Sequence, residues 1–374
     1  MPKRKETVDL QIGSQVFSAW EQIQATAEFG TLREFAFLAT EAVSSSGGQS
    51  SPNWSTLQII PGDDCTVKFA GELFLTGTVN CRNAHYDAFQ HNVLISGKSN
   101  AGKITDASVL PQDHNGGQFL NQKWQAIATA VLKKQGVQLE MRGSTQLSEM
   151  QIDDAQIMPG ETTFNFLGRL ARHRGITLFD DEHGKVIAYA SVTGSSGGSL
   201  IEGKNIQSAS CRIENTTIFS KHVDDGATNG KDSYWGRRAA QAAAHADNPG
   251  AKGLGYKPYL FLGDRRLTTQ EAIGRMDYET LWVFNDNITA DIVVYGWQSD
   301  GGELWKVGDS VNVDSPMLML KNNKLYIQRV TFTQDNEQGS LASLHVVSRL
   351  SSAHLNFDVP GGASTPQPAK PGPG

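Results

Sequence analysis

The sequence predicts an α+β fold that is mainly β, with two similar small β-barrels joined by α+β domains. Three observations predict it. The first is that Ile288 to Leu350 reads as successive strands, at Ile288–Trp297, Val311–Val313, Leu325–Phe332 and Ser343–Arg349. Turn residues separate them, at Asp300-Gly301-Gly302, Gly308-Asp309, Lys321-Asn322-Asn323-Lys324 and Asn336-Glu337-Gln338-Gly339. Val293, Tyr295 and Trp297 alternate with polar or small residues, as do Leu325, Ile327 and Arg329. This period of two marks strands with one buried face. Four short strands with Trp297 and Trp305 as apolar fillers imply a closed or nearly closed barrel.

The second observation is that the pattern is written twice. Placed without gaps, Leu73-Phe74-Leu75 falls on Leu325-Tyr326-Ile327, and in the same register Leu94-Ile95-Ser96 falls on Val346-Val347-Ser348. A Gly-Asp pair precedes a valine-bearing strand in each copy: Gly62-Asp63 before Val67, and Gly308-Asp309 before Val311 and Val313. The second copy needs a few extra residues between these anchors. The order of elements is kept as well as their type, which favours a duplication. The third observation is a change to helical spacing near Gly102.

Taken in order, Val8–Phe17 alternates around an Ile12-Gly13-Ser14-Gln15 turn and leads to Trp20. Phe35, Phe37 and Ala39 mark a further strand, Ser44–Pro52 is a Ser/Gly-rich loop, and Leu57–Ser96 supplies the rest of a first barrel over residues 7–100. Residues 102–192 read as an α+β domain. Leu120, Trp124, Ile127, Ala128, Val131 and Leu132 recur at helical spacing, ended by Gly136 as a left-handed cap. Glu161-Thr162-Thr163 opens a second helix that buries Phe164, Leu167, Leu170 and Ala171 and stops at Gly175. A hairpin follows, Ile176–Phe179 and Val186–Tyr189 around Asp181-Glu182-His183-Gly184, and then a linker, Gly194–Ser199.

The second barrel is discontinuous, 201–229 and 287–352, with its first strands at 201–222 and residues 230–286 inserted. Asp224–Lys257, rich in Gly, Asn, Asp and Ala with basic points at Lys231, Arg237, Arg238, Lys252 and Lys257, reads as a functional arm or mobile loop. Thr268–Glu271 is a capping box for a helix that carries Ile273, Met276, Leu281 and Phe284 inward. Residues 353–374 form a Pro/Gly-rich, extended tail.

A chain of 374 residues has room for two to four cores. Its net charge of -6 offers no case for nucleic acid or an anionic membrane as the main partner. No apolar run approaches a membrane span, and Met1-Pro2-Lys3-Arg4-Lys5-Glu6 lacks the apolar segment of a signal peptide. Cys65, Cys81 and Cys211 show no paired spacing, which fits synthesis in a reducing cytoplasm.

Chemistry-bearing patterns are few. Gly97-Lys98-Ser99 resembles the end of a phosphate-binding loop, but Asn92 stands where that loop needs a glycine, and Asn100-Ala101-Gly102 follows where it needs a helix. His85 and His91 lie on neighbouring segments without further ligands at metal spacing. Asp180-Asp181-Glu182 is a carboxylate cluster in a hairpin turn, where acids are common. Arg169, Arg172, His173 and Arg174 make a cationic helix end, which complements the helix dipole. GxSxG, HExxH and paired CxxC motifs are absent. The expectation is therefore no enzyme: no catalytic, cofactor-binding or metal residues are assigned, and no cofactor.

Several short stretches in collinear order carry a resemblance. They are Val8-Asp9-Leu10-Gln11-Ile12-Gly13 with Trp20, Ile60-Pro61-Gly62-Asp63-Asp64, Leu75-Thr76-Gly77, Tyr86-Asp87-Ala88 with His91, and Ile95-Ser96-Gly97-Lys98-Ser99. Pro159-Gly160-Glu161-Thr162, Phe166-Leu167-Gly168-Arg169-Leu170-Ala171, Gly296-Trp297, Leu304-Trp305 and Val307-Gly308-Asp309 follow. Together, over nearly all of residues 7–355, they resemble the baseplate hub proteins of contractile-tailed phages of the Mu type. The Ser/Gly loop and the Pro-rich tail depart from that pattern.

The resemblance implies a ring-forming homotrimer that adapts a sixfold tail tube to a threefold central spike, with a lumen for DNA passage. It implies as partners the spike protein, the tail tube or tube-initiator protein and the baseplate wedge proteins, with no membrane binding by this chain. The implied location is the tail baseplate of a virion made in the host bacterial cytoplasm. The alternatives are the hub of a phage-derived contractile particle, tailocin or secretion-like, and a tail-associated cell-wall hydrolase.

Overall fold

A computed structural model describes residues 6–40, 59–87, 91–145, 148–190, 196–214, 219–226, 242–247, 255–261, 278–279 and 288–348. The Ser44–Pro52 loop, the Thr268–Glu271 capping box and the 353–374 tail lie outside them.

The N-terminal part is all strand. β1 (Val8–Ile12) and β2 (Gln15–Phe17) form a hairpin whose turn places Gly13 at φ +57°. β3 (Gln22–Glu28), β4 (Glu34–Thr40), β5 (Asp64–Phe69), β6 (Glu72–Tyr86) and β7 (His91–Ser99) complete it, in the order β3-β4-β7-β6-β5-β1-β2. Val67, Phe69, Leu75 and Ile95 are fully buried at the positions that alternation predicts.

The middle part contains α1 (Lys103–Asp106), β8 (Gln118–Lys123), α2 (Trp124–Lys134), β9 (Leu139–Arg142) and β10 (Gln151–Gln156). After them come α3 (Thr163–Arg172), β11 (Thr177–Asp180) and β12 (Val186–Tyr189). Both longer helices end in Schellman motifs. Val137 N–H donates to Leu132 O and Gly136 N–H to Lys133 O, with Gly136 at φ +71°; Ile176 and Gly175 bond Ala171 and Arg172 in the same way. Thr162 caps α3 by accepting from Asn165 N–H at 3.3 Å. A separate core gathers around Trp124, whose indole N–H donates to Leu167 O at 3.1 Å. Leu120 does not belong to α2. It stands in β8 opposite Asp154 and is exposed, so its helical spacing from Trp124 is coincidental.

The C-terminal part contains β13 (Ser196–Ile201), β14 (Ile206–Ile213), β15 (Lys221–Gly226), β16 (Ala242–Asp247) and β17 (Pro258–Phe261). It continues with β18 (Ile288–Tyr295), β19 (Ser310–Ser315), β20 (Leu320–Asp335) and β21 (Gly339–Val347). Three readings of the sequence are corrected here. The linker after residue 194 is strand from Ser196 onward, parallel to β19. The 201–222 stretch breaks at Ile213, and Lys221 opens a separate sheet β16-β15-β17, so part of the Asp224–Lys257 passage is strand. Lys321–Lys324 lies inside β20. The turn instead runs from Pro316 to Met319, where proline presets the backbone and Met319 takes φ +58°.

The largest correction concerns the barrels. β20 is long enough to pair with β19 through its first half and with β3 through its second, from Arg329↔Glu28 to Gln334↔Ile23. The two halves therefore merge into one thirteen-stranded sheet, β14-β18-β21-β20-β3-β4-β7-β6-β5-β1-β2 with β13 and β19 attached, and among the described residues this sheet does not close on itself. One hydrophobic core spans both halves. At its centre Phe69 meets Phe74, Trp297 and Phe332 with ring centroids 5.0–5.3 Å apart. Rings buried in this way stabilise by about 1.5–3 kcal/mol each. The mainly-β α+β class holds; among the described residues neither half forms a closed barrel.

Candidate functional site

The sheet repeats itself in hydrogen bonding, and this repeat is the feature from which a function can be built. Gly62 N–H donates to Val79 O at 2.8 Å, and Val79 N–H donates to Asp63 O at 2.9 Å. In the other half Gly308 N–H donates to Ile327 O and Ile327 N–H to Asp309 O, both at 2.9 Å. Both glycines sit at strongly positive φ, +104° and +95°, which an L side chain strains to adopt. Directly after each bonded residue the long strand bulges, between Val79 and Cys81 and between Ile327 and Arg329.

The equivalence carries across the sheet. Val79 faces Gly97, Gly97 faces Phe35, and Phe35 faces Ala25. Correspondingly Ile327 faces Val346, Val346 faces Ala290, and Ala290 faces Cys211. Strands β5, β6, β7, β4 and β3 thus match β19, β20, β21, β18 and β14. The register differs from the gapless placement of the sequence: Ile327 corresponds to Val79, not Leu75, and Val346 to Gly97, not Leu94. Apolar triplets on period-two strands look alike in several registers, whereas the Gly-Asp hydrogen bonds admit one. The outermost strands depart from the repeat, since β1 is antiparallel to β5 and β13 is parallel to β19.

Where the halves meet, β3 covers the second half of β20. Two corresponding edges have no strand beside them among the described residues: β14 on its outer side, and β6 from Cys81 to Tyr86 opposite β7. Nearly every residue of these two segments is exposed, including Tyr86 at 77% and Ile213 at 55%.

The residues that sequence singled out for chemistry have structural places. Gly97 lies in mid-strand, where a Cβ would come 2.4 Å from Thr78 O and 2.6 Å from Phe35 Cε1, so close packing accounts for the glycine. Lys98 reaches Asp106 at 3.5 Å. His85 is exposed and sits on β6 opposite Asn92 on β7; His91 stands opposite Tyr86. Among the described residues no three His, Cys, Asp or Glu gather to hold a metal. The cationic end of α3 is largely internal. Arg169 makes a bidentate pair with Glu161 at 2.9 Å, and Arg174 is buried and donates to Gln151 O at 2.8 Å.

The acidic cluster divides. Asp180 is buried and joins the middle part to the first: its carboxylate accepts from Arg33 N–H at 3.1 Å, and its carbonyl accepts from the Arg33 guanidinium at 2.8 Å. Burial raises the Asp180 carboxyl to about 6, against the lowering pull of Arg33. Asp181 orders the hairpin turn by accepting from His183 and Lys185 N–H. Asp309 of the second anchor is also raised to about 6 by burial. Cys65 is buried in the shared core, and burial pushes its thiol up to about 12, which disfavours the thiolate.

Sequence reasoning passed over β3 and hence the junction. Its signal, Ile23, Ala25 and Ala27 at period two, is weak because alanine is a poor strand former. Among the described residues no helix is long and apolar enough to cross a membrane.

Comparison with known proteins places these features in context. Residues 7–99 match the family model described as Mu phage baseplate assembly protein GpP-like, N-terminal. Residues 101–189 match the model described as baseplate hub protein gp44-like, second domain. The baseplate hub protein gp44 of Escherichia phage Mu is 20% identical over 338 residues, 89% of this chain and 85% of that protein. The 43 kDa tail protein of prophage MuSo2 from Shewanella oneidensis is 26% identical, with a TM-score of 0.76 over 91% of this chain and 98% of that one. A tail protein from Neisseria meningitidis MC58, 15% identical, shares the fold with a TM-score of 0.73 over 91% of this chain and 96% of that one.

Proposed function

The chain belongs to the Mu-like phage baseplate hub proteins, whose first two domains it carries in order over residues 7–189, and on that premise we propose that it is the structural hub of a contractile tail. Three copies form a ring that adapts a sixfold tail tube to a threefold central spike and leaves a lumen for DNA. The observation that carries this reading is the internal repeat, with Val79 and Ile327 in equivalent hydrogen-bonded positions. Three chains that each hold two equivalent modules offer six similar surfaces on one side and three true repeats on the other.

The task needs a rigid body with large, permanent subunit interfaces, on the order of 2,000 Å² or more, and no bond-making chemistry. A merged sheet with one core supplies the rigidity. The ring's partners are the spike, the tube or its initiator and the wedge proteins, and its place is the virion tail. The net charge of -6 suits a passage that does not retain DNA.

Particle images of the purified protein test the reading. A threefold ring with a sixfold component in its rotational spectrum supports it. A twofold particle or an open filament contradicts it.

A further inference from the structure

The sheet contains one copy of a junction that its own repeat provides for twice. Within the chain, the second half of β20 pairs antiparallel with β3, Phe332 opposite Ala25 and Arg329 opposite Glu28. The equivalent of β20 is β6, and the equivalent of β3 is β14. Yet β6 beyond Val79 and β14 have no strand at the corresponding edges among the described residues. They lie at separate places along the sheet path, and most of their residues are exposed.

We infer that β6 from Cys81 to Tyr86 pairs antiparallel with β14 of a second copy of this chain, Ala84 opposite Cys211. The register follows from the equivalences already set out. Val79 corresponds to Ile327, so Ala84 takes the place of Phe332; Cys211 corresponds to Ala25, so it takes Ala25's place opposite. The remaining pairs are Cys81 with Glu214, Arg82 with Ile213, Asn83 with Arg212, His85 with Ser210 and Tyr86 with Ala209.

The side chains fit the same inside and outside as the internal junction. Ile23, Ala25 and Ala27, on the strand that pairs with β20, are 1–5% exposed and lie in the shared core. Their equivalents Ala209, Cys211 and Ile213 are apolar too, but Ala209 and Ile213 are exposed and Cys211 is half-buried. On β6 the inward positions hold Ala84 and Tyr86. Apart from Cys81, the outward positions on both strands are polar: Asn83, His85, Ser210 and Arg212. Arg82 is the departure, standing where Val330 is buried in the other half. Pairing of this kind satisfies a row of backbone donors and acceptors that water otherwise meets. Because the two edges differ, the contact is head-to-tail, and such contacts generate a ring when the rotation closes. Closure at three copies rests on the trimer reading above; the strand pairing itself rests on the repeat.

Cys211 makes the test direct. Residues opposite each other on paired antiparallel strands have Cα atoms about 4.5–5.5 Å apart, within disulfide range. The full-length Ala84→Cys variant, made with Cys81→Ser to remove another exposed thiol, is oxidised with copper phenanthroline and run without reductant. The expected result is covalent dimer and trimer that collapse on reduction and are lost when Cys211→Ser is added. Asn83→Cys in the same background, which faces the other side of the sheet, forms no such ladder. The mass of the unmodified protein is measured alongside. A trimer without the Ala84→Cys ladder, or a ladder that survives Cys211→Ser, overturns the pairing and leaves the ring. A monomer without a ladder overturns both.

Discussion

Val79 and Ile327 hold the same place in two halves of one sheet. Each donates its N–H to the carbonyl of an anchor aspartate, Asp63 or Asp309, and accepts from the preceding glycine, Gly62 or Gly308, at 2.8–2.9 Å. Each is followed by a bulge. Four matched hydrogen bonds and two matched bulges define a repeat at the level of backbone pairing, where strand composition alone leaves the register open.

The anchor glycines supply the first prediction. Gly62 and Gly308 have open space where a Cβ would sit, so alanine there meets only the strain of positive φ. Gly62→Ala and Gly308→Ala each lose about 1–3 kcal/mol in urea unfolding, and the two losses agree within about 0.5 kcal/mol. A loss at one anchor and none at the other would mean that the equivalence is not energetic.

Gly97 and Lys98 separate packing from phosphate binding. Gly97→Ala drives a methyl group into Thr78 O and the Phe35 ring, and destabilises by about 3 kcal/mol or more. Lys98→Ala loses one exposed ion pair and changes stability by less than about 1 kcal/mol. Thermal melts of the two variants check the order. A nucleotide-induced rise in Tm that Lys98→Ala removes would restore the phosphate-loop reading.

Arg33 and Asp180 fasten the first seven strands to the middle part. Arg33→Ala leaves a buried carboxylate without its cation and costs about 3–5 kcal/mol, read from denaturant midpoints. Asp180→Asn, which keeps the shape and loses the charge, costs less.

The same carboxyl gives a pH dependence. Asp180 and Asp309 are both raised to about 6 in the fold from an ordinary value of 3.8, because burial disfavours their charged forms. The folded state therefore holds these protons more tightly than the unfolded chain does. Their contribution to stability is complete below the ordinary aspartate range and is lost as pH rises through about 6. Asp180→Asn flattens part of the fall in unfolding free energy between about pH 4 and 6; an unchanged slope would remove Asp180 as its source.

Ile213 tests assembly without disturbing the single chain. It is 55% exposed on β14, so Ile213→Asp shifts subunit stability by no more than about 0.5 kcal/mol. In the proposed ring the same aspartate would be buried at a subunit junction, and the expected outcome is a trimer that dissociates at higher protein concentration than wild type. Sedimentation velocity over a dilution series checks this.

Much of the fold was legible because alternation at residues such as Leu325 and Ile327, both buried, depends on local pattern alone; on β18 the expected face is corrected, since Ala290, Ile292 and Val294 are buried whereas Tyr295 is 61% exposed. Helix ends at Gly136 and Gly175 were legible for the same reason: a left-handed cap is a local event. The β20–β3 junction was not, since it brings Phe332 beside Ala25 across nearly the whole chain, and no local period encodes such a partner. The gapless repeat placed Leu75 on Ile327 because both are apolar strand positions; only the Gly-Asp hydrogen bonds reveal Val79 as the true counterpart. Lys321–Lys324 has turn composition but lies in a strand, because Pro316 made the turn earlier. The proposed assembly edge carries no chemical motif, and polar strand residues at 81–86 become informative only once the pairing of β20 with β3 is seen.

The mass of the purified protein by light scattering at low micromolar concentration tests the central claim most directly. The account predicts three chains per particle, unchanged on tenfold dilution. A particle of two chains, or a monomer that stays monomeric when the spike protein is added, would contradict it.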